Sequence, residues 1–167
     1  MLRAYRTREY RGVVLVVKYQ QEFVSQVEEE IKPLIAAHWE EVEVYQNEIK
    51  LNPCWESYYG LELQGNLKVF TARSEERLVG YFVAVVSPNI HHKTHLFALC
   101  DIVYLHKDYR KGLTGVKLIK FAEGCLRLDG VSVLVISSKV QSPLRRILTW
   151  LKFKPSECSY SKYLGDK

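Results

Sequence analysis

The sequence lacks any apolar stretch long enough to cross a membrane. Its longest runs, Gly12 to Val17 and Leu78 to Ser87, fall well short of the roughly 18 to 20 residues that a spanning helix needs. Met1 to Arg11 carries Arg3, Arg6, Arg8 and Arg11 but lacks the apolar centre and small-residue cleavage site of a secretory signal, so a cytoplasmic location is expected. Cysteine is scarce and dispersed. Cys54, Cys100, Cys125 and Cys158 form no CxxC pair and have no histidine at zinc-ligand spacing, which argues against a disulfide framework and against a metal site. Reduced, mostly buried thiols are expected instead. No repeat, low-complexity tract or linker divides the 167 residues, so a single domain over 1–167 is expected.

What is present suits a soluble globular chain: 47% hydrophobic residues along the whole length and 26% charged ones. A net charge of +5 favours an anionic partner, whether nucleic acid, membrane headgroup or phosphorylated cofactor.

Gly12 to Lys18 is a β-branched run of strand length, and Ser25-Gln-Val-Glu28 reads as a capping box opening a helix. Apolar residues from Val27 to Val42 keep a helical stripe, with a kink or break expected near Lys32 because Pro33 has no amide hydrogen. Trp55 to Leu63 reads as a second helix ending at Gly65. Leu67 to Arg73 and Leu78 to Val86 read as a hairpin, Ser87 to Thr94 as a loop, and His95 to Leu105 as a strand interrupted by Asp101. Thr114 to Leu128 is an amphipathic helix, followed by a strand at Val131 to Ser137, a helix at Ser142 to Leu151 and a last strand at Cys158 to Leu164. Together these elements predict an α/β mixed sheet flanked by helices, with a parallel strand pair joined by the Thr114 helix.

Between strand and helix, Lys107-Asp-Tyr-Arg-Lys-Gly-Leu-Thr-Gly115 combines cations, two glycines and the amides of a helix N-terminus. That is a physically sound anion site; the alternative is a plain connection with a basic rim. Arg110 and Gly115 match the two ends of the pyrophosphate motif of GNAT acyltransferases, and the order of elements from Leu67 to Leu164 resembles theirs. The runs Tyr104 to Gly112 and Tyr160 to Leu164 resemble acyltransferase-like proteins encoded by tailed phages. The sequence departs from the family in two places: Leu113 stands where the motif has its central glycine, and Leu148 stands where many members carry a tyrosine acid.

The resemblance implies a GNAT-like fold and acetyl-CoA as co-substrate, with residues 12–65 as its N-terminal part and 67–164 as its cofactor-binding half. It implies that the backbone of Val103 and Leu105 pairs with the pantetheine arm, that Arg110, Lys111, Gly112, Leu113, Thr114 and Gly115 hold the pyrophosphate, and that Ser138 lies near the cofactor. Acyl transfer to an amine needs a proton acceptor. Asp101, at a two-residue period from Val103 and Leu105, is the first candidate; the alternative is a buried structural carboxylate bonded to loop amides. His95 is a weaker candidate base, and Tyr160, ahead of Tyr163 and Tyr109, is the candidate thiolate acid.

The expected function is transfer of an acetyl group to an amine of an unidentified acceptor, a small molecule or a host protein. Two rivals stand beside it: a catalytically degenerate GNAT-like protein that binds CoA, or nothing, and works as an interaction or virion protein, and a nucleic-acid module using the basic residues. The second rests on composition only, because no aromatic and basic interleaving supports it. Oligomeric state is left open, a dimer included.

Overall fold

A computed structural model describes residues 5–6 and 16–165 of the chain. One sheet of six strands runs in the order β1-β2-β3-β4-β5-β6: β1 (Tyr5–Arg6), β2 (Val16–Glu22), β3 (Leu67–Ser74), β4 (Arg77–Asn89), β5 (His92–Leu105) and β6 (Val131–Ile136). All neighbours are antiparallel except β5 and β6, which are parallel and joined through a helix. The expected mixed sheet flanked by helices is therefore present.

Helices α1 (Val24–Val42) and α2 (Trp55–Leu63) cover one face, and α3 (Thr114–Leu128) and α4 (Leu144–Trp150) the other. Side chains alternate across a strand, so each face has its own core. Val27, Ile31, Leu34 and Ile35 of α1 pack on Val69, Tyr81 and Val83. Leu118, Ile119, Ala122 and Leu126 of α3 pack on Phe70, Phe82 and Ala98. No helix among the described residues is long and apolar enough to cross a membrane.

Several expectations need correction. The strand expected over Gly12 to Lys18 is described from Val16 onward, as β2, and runs on to Glu22; residues 12–15 lie outside the described residues. Helix α1 starts two residues early, at Val24, where the Phe23 amide donates to Gln26 Oε1 at 3.1 Å; Ser25 lies in the first turn. No break occurs near Lys32. Pro33 sits on the exposed side of α1, where water can solvate the carbonyl it leaves without a donor, while Ile31, Leu34 and Ile35 hold the turn to the core.

Ser87 to Thr94 is not a loop: β4 and β5 extend into it and turn at Ile90-His91, with Asn89 Oδ1 accepting the amides of His91 and His92. The expected last strand, Cys158 to Leu164, has no regular structure. None of the cysteines is fully buried: Cys54 and Cys158 are exposed, Cys100 and Cys125 partly so.

Candidate functional site

The site grows from one irregularity in β5. Val83 pairs with Ile102 and the next residue, Ala84, pairs with Cys100, so Asp101 is an extra residue in a β-bulge. A bulge breaks the two-residue alternation. Cys100 and Val103 face the α3 core, whereas Ile102 and Tyr104 face the α1–α2 core. Asp101 accepts the Tyr58 hydroxyl of α2 at 2.7 Å, which puts it on the second face. The expectation that Asp101 shares a face with Val103 and Leu105 is thus overturned, and so is the alternative of a buried structural carboxylate, because the side chain is exposed.

The bulge also marks where two strands part. The pairing of β5 with β6 ends at Cys100 and Ile136, so from Ile102 to Leu105 the edge toward β6 has no strand partner. Val103 and Leu105 lie along this opening. Gly80 lets Leu105 close in from β4, since an added Cβ would stand 2.7 Å from Leu105 Cδ1. Ser138 follows β6, half-buried, with its Oγ donating to the Lys139 carbonyl at 3.2 Å.

Beyond Leu105 a 3-10 turn, Lys107–Tyr109, leads to the loop Arg110 to Leu113 and then to α3. Gly112 has φ +81°, the left-handed region that favours glycine. Leu113 has φ −107° and needs none, which explains why glycine stands one residue earlier than in the family motif. The first amides of a helix have no acceptor within it, here Thr114, Gly115 and Val116, whereas Lys117 donates to the Leu113 carbonyl at 2.9 Å. Thr114 is buried, its carbonyl accepting the Tyr19 hydroxyl at 3.2 Å, so the start of α3 is fixed against β2.

Arg110 does not project over that helix start. Its guanidinium grips both oxygens of Glu41, at 3.0 and 2.7 Å, and its Nε donates to the Leu105 carbonyl at 2.7 Å. It also lies 5.2 Å over the Tyr104 ring. Arg110 therefore joins the loop to the end of α1.

Leu148 is buried in the α3 core and acts as packing. Tyr160 is 95% exposed in a segment without regular structure, so nothing holds it against β5 or α3. Tyr163 packs instead against Tyr45, the tilted rings 6.1 Å apart, and the Tyr45 hydroxyl donates to Ser161 Oγ at 3.0 Å. Tyr109 is half-buried against the α3 core, and His95 is exposed. Among the described residues no group of three or more His, Cys, Asp or Glu is placed to hold a metal ion.

Beside Asp101 stands an aromatic cluster of Tyr58, Tyr81 and Tyr104. Tyr81 and Tyr104 are register partners on β4 and β5, 6.1 Å apart. Tyr104 donates to Glu41 at 3.1 Å and lies 5.0 Å from the His38 ring. Burial pushes the phenol pKa of Tyr58 up, and the Asp101 carboxylate adds to the effect. Burial also lowers the pKa of His38, opposed by Glu41 and reinforced by Arg110 and Lys139. The available signal was a tyrosine on each of two consecutive strands, and only the register of β4 with β5 makes Tyr81 and Tyr104 partners.

No family model and no curated protein matches this chain. Solved structures do match. An aminoglycoside acetyltransferase from an uncultured soil metagenomic sample, solved with sisomicin, aligns with a TM-score of 0.68 at 16% identity, covering 90% of this chain and 97% of that one. Ribosomal-protein-alanine N-acetyltransferase from Brucella melitensis gives 0.65 at 20%, covering 89% and 99%. Glucosamine-6-phosphate N-acetyltransferase from Arabidopsis thaliana gives 0.66 at 11%, again covering 89% and 99%. At these identities the likeness establishes the fold, that of the GNAT acetyltransferases.

Proposed function

We propose that the chain is an acetyl-CoA-dependent N-acetyltransferase acting on an amine. The observation that carries this reading is the opening between β5 and β6, which begins at the Asp101 bulge and ends at the amides of α3. Peptide groups from Ile102 to Leu105 suit the amide-bearing pantetheine arm, and the loop and helix amides from Gly112 to Gly115 suit a pyrophosphate. Lys111 adds positive charge there. The thioester then lies toward the bulge, beside Asp101.

In this reading Asp101 takes the proton of the attacking amine, directly or through water. The nitrogen bonds to the acyl carbon, the carbon–sulfur bond breaks, and CoA leaves as a thiolate that water protonates, since Tyr160 is not held in place. The reaction places the protein in the cytoplasm, where acetyl-CoA is available, and the phage-like texture keeps a host protein among the candidate acceptors.

The test is a thermal-shift titration of the full chain with acetyl-CoA, CoA and ATP, followed by thiol release with a panel of amines. Stabilisation by acetyl-CoA with turnover on some amine supports the enzyme. Stabilisation by CoA and acetyl-CoA without turnover supports the degenerate reading, which the core position of Leu148 favours. No response to millimolar acetyl-CoA overturns the enzyme.

A further inference from the structure

One stretch of the chain carries cations and no opposing charge. Residues 130–156 include Lys139, Arg145, Arg146, Lys152 and Lys154 but no Asp or Glu. Helix α4 turns two of these cations outward. Its Leu148 is buried in the α3 core, with Leu144, Ile147 and Leu151 packed around it, so the helical period leaves Arg145, Arg146, Thr149 and Trp150 on the opposite side. All four are exposed.

That side is concave. An open groove of about 750 Å³ lies between the connection 140–143 and α4, with Arg145, Arg146, Thr149 and Trp150 in its lining. Its shape is held by the backbone: the Ser142 amide donates to the Lys139 carbonyl at 2.9 Å, the Leu144 amide donates to Ser142 Oγ at 3.2 Å, and Arg145 donates to the Val140 carbonyl at 3.0 Å.

Trp150 is a second, independent observation. It is 57% exposed, although a tryptophan is a large apolar group that folds usually cover, and the Lys120 ammonium of α3 stands 5.7 Å from its ring centroid. Lys120, Lys139, Arg145 and Arg146 join no ion pair among the described residues. Basic and aromatic residues that are not interleaved along the chain are therefore brought together by the packing of α4 beside α3.

We propose that this groove binds a single strand of nucleic acid, a function separate from acetyl transfer and not resting on it. A base stacks on the Trp150 ring, while the guanidinium forks of Arg145 and Arg146 and the Lys120 ammonium meet successive phosphates. An acidic peptide would match the charge but leave the exposed ring unused. A membrane surface fits less well, because interfacial helices insert their apolar face and that of α4 is already packed in the core.

The experiment follows the fluorescence anisotropy of a labelled oligothymidylate of about twelve nucleotides, within the span of known single-strand grooves, as the full chain is added. Binding is expected at low salt, and with three cations on phosphates it should weaken about 20-fold between about 50 and 200 mM salt. Trp150→Leu should raise Kd about ten-fold with the same salt dependence, because it removes the stacking surface and no charge. Arg145→Gln with Arg146→Gln should also raise Kd, and should reduce the slope of log Kd against log salt by about 1.4.

Both variants should keep the melting temperature of the parent chain and its thermal shift with acetyl-CoA, since the altered side chains are exposed and lie outside the opening between β5 and β6. Displacement of the oligonucleotide by CoA, or loss of the acetyl-CoA shift in either variant, assigns the groove to the cofactor and overturns the proposal. So does a failure to bind at low salt, equal affinity for polyglutamate, or an unchanged Kd in Trp150→Leu. If the parent chain shows no acetyl-CoA shift, the reaction reading fails, while the oligonucleotide titrations still decide this one.

Discussion

Asp101 shows how much a single inserted residue decides. Asp101→Asn keeps the shape and the contact with Tyr58 but removes the proton acceptor, so kcat should fall by about 100-fold or more, with the cofactor-induced thermal shift retained. A rise confined to KM, with kcat unchanged, would make Asp101 an anchor instead of a base. His38 gives a pH test. Its folded pKa lies below its unfolded value because burial disfavours the imidazolium, so the unfolded chain binds more protons and stability rises with pH through that window. Stability is therefore expected to fall as pH drops from about 7 through the unfolded value near 6.5 toward the lower folded one, and His38→Asn should flatten this slope in denaturant titrations. The residue type of Asp101 was visible from the chain alone, and so was its place on a strand. The face it occupies was not, because a bulge depends on how β4 pairs with it.

At the scale of elements, two features set the sheet on the α1–α2 side. Arg73 on β3 is 9% exposed and binds Glu22 of β2 at 3.0 Å and Glu30 of α1 at 2.7 Å. Truncation leaves those carboxylates without their partner, so Arg73→Ala should cost about 3–5 kcal/mol in a urea titration. The β3–β4 hairpin turns on Glu75 and Glu76, with φ of +50° and +64°, a conformation that Asn-Gly adopts more readily. Glu75→Asn with Glu76→Gly should raise stability by about 1 kcal/mol, less any loss of the exposed ion pair between Lys18 and Glu76. Helix α3 ran over the residues its apolar spacing predicted, Thr114 to Leu128. The last strand did not form: Tyr163 and Ser161 instead contact Tyr45, so a contact distant in sequence accompanies the loss of a local preference.

At the scale of the molecule, the opening between β5 and β6 gives the proposed function a ligand test. Acetyl-CoA at about 100 times its Kd should stabilise the chain by about 2.7 kcal/mol, read as a rise in melting temperature, and Gly112→Val should reduce the effect by straining the loop at φ +81°. The sequence by itself determined the alternation of strands and helices, the crossover through α3, the glycine and cation content of the loop and the absence of carboxylates over residues 130–156, because each follows from short-range periodicity or simple counting. Only the tertiary structure decided which way Arg110 turns, that Leu148 is core, that Tyr160 is unsupported, and that Asp101 joins Tyr58, Tyr81 and Tyr104. Those outcomes depend on strand register and on partners tens of residues away, such as Glu41 for Arg110 and Tyr58 for Asp101, which no local pattern encodes.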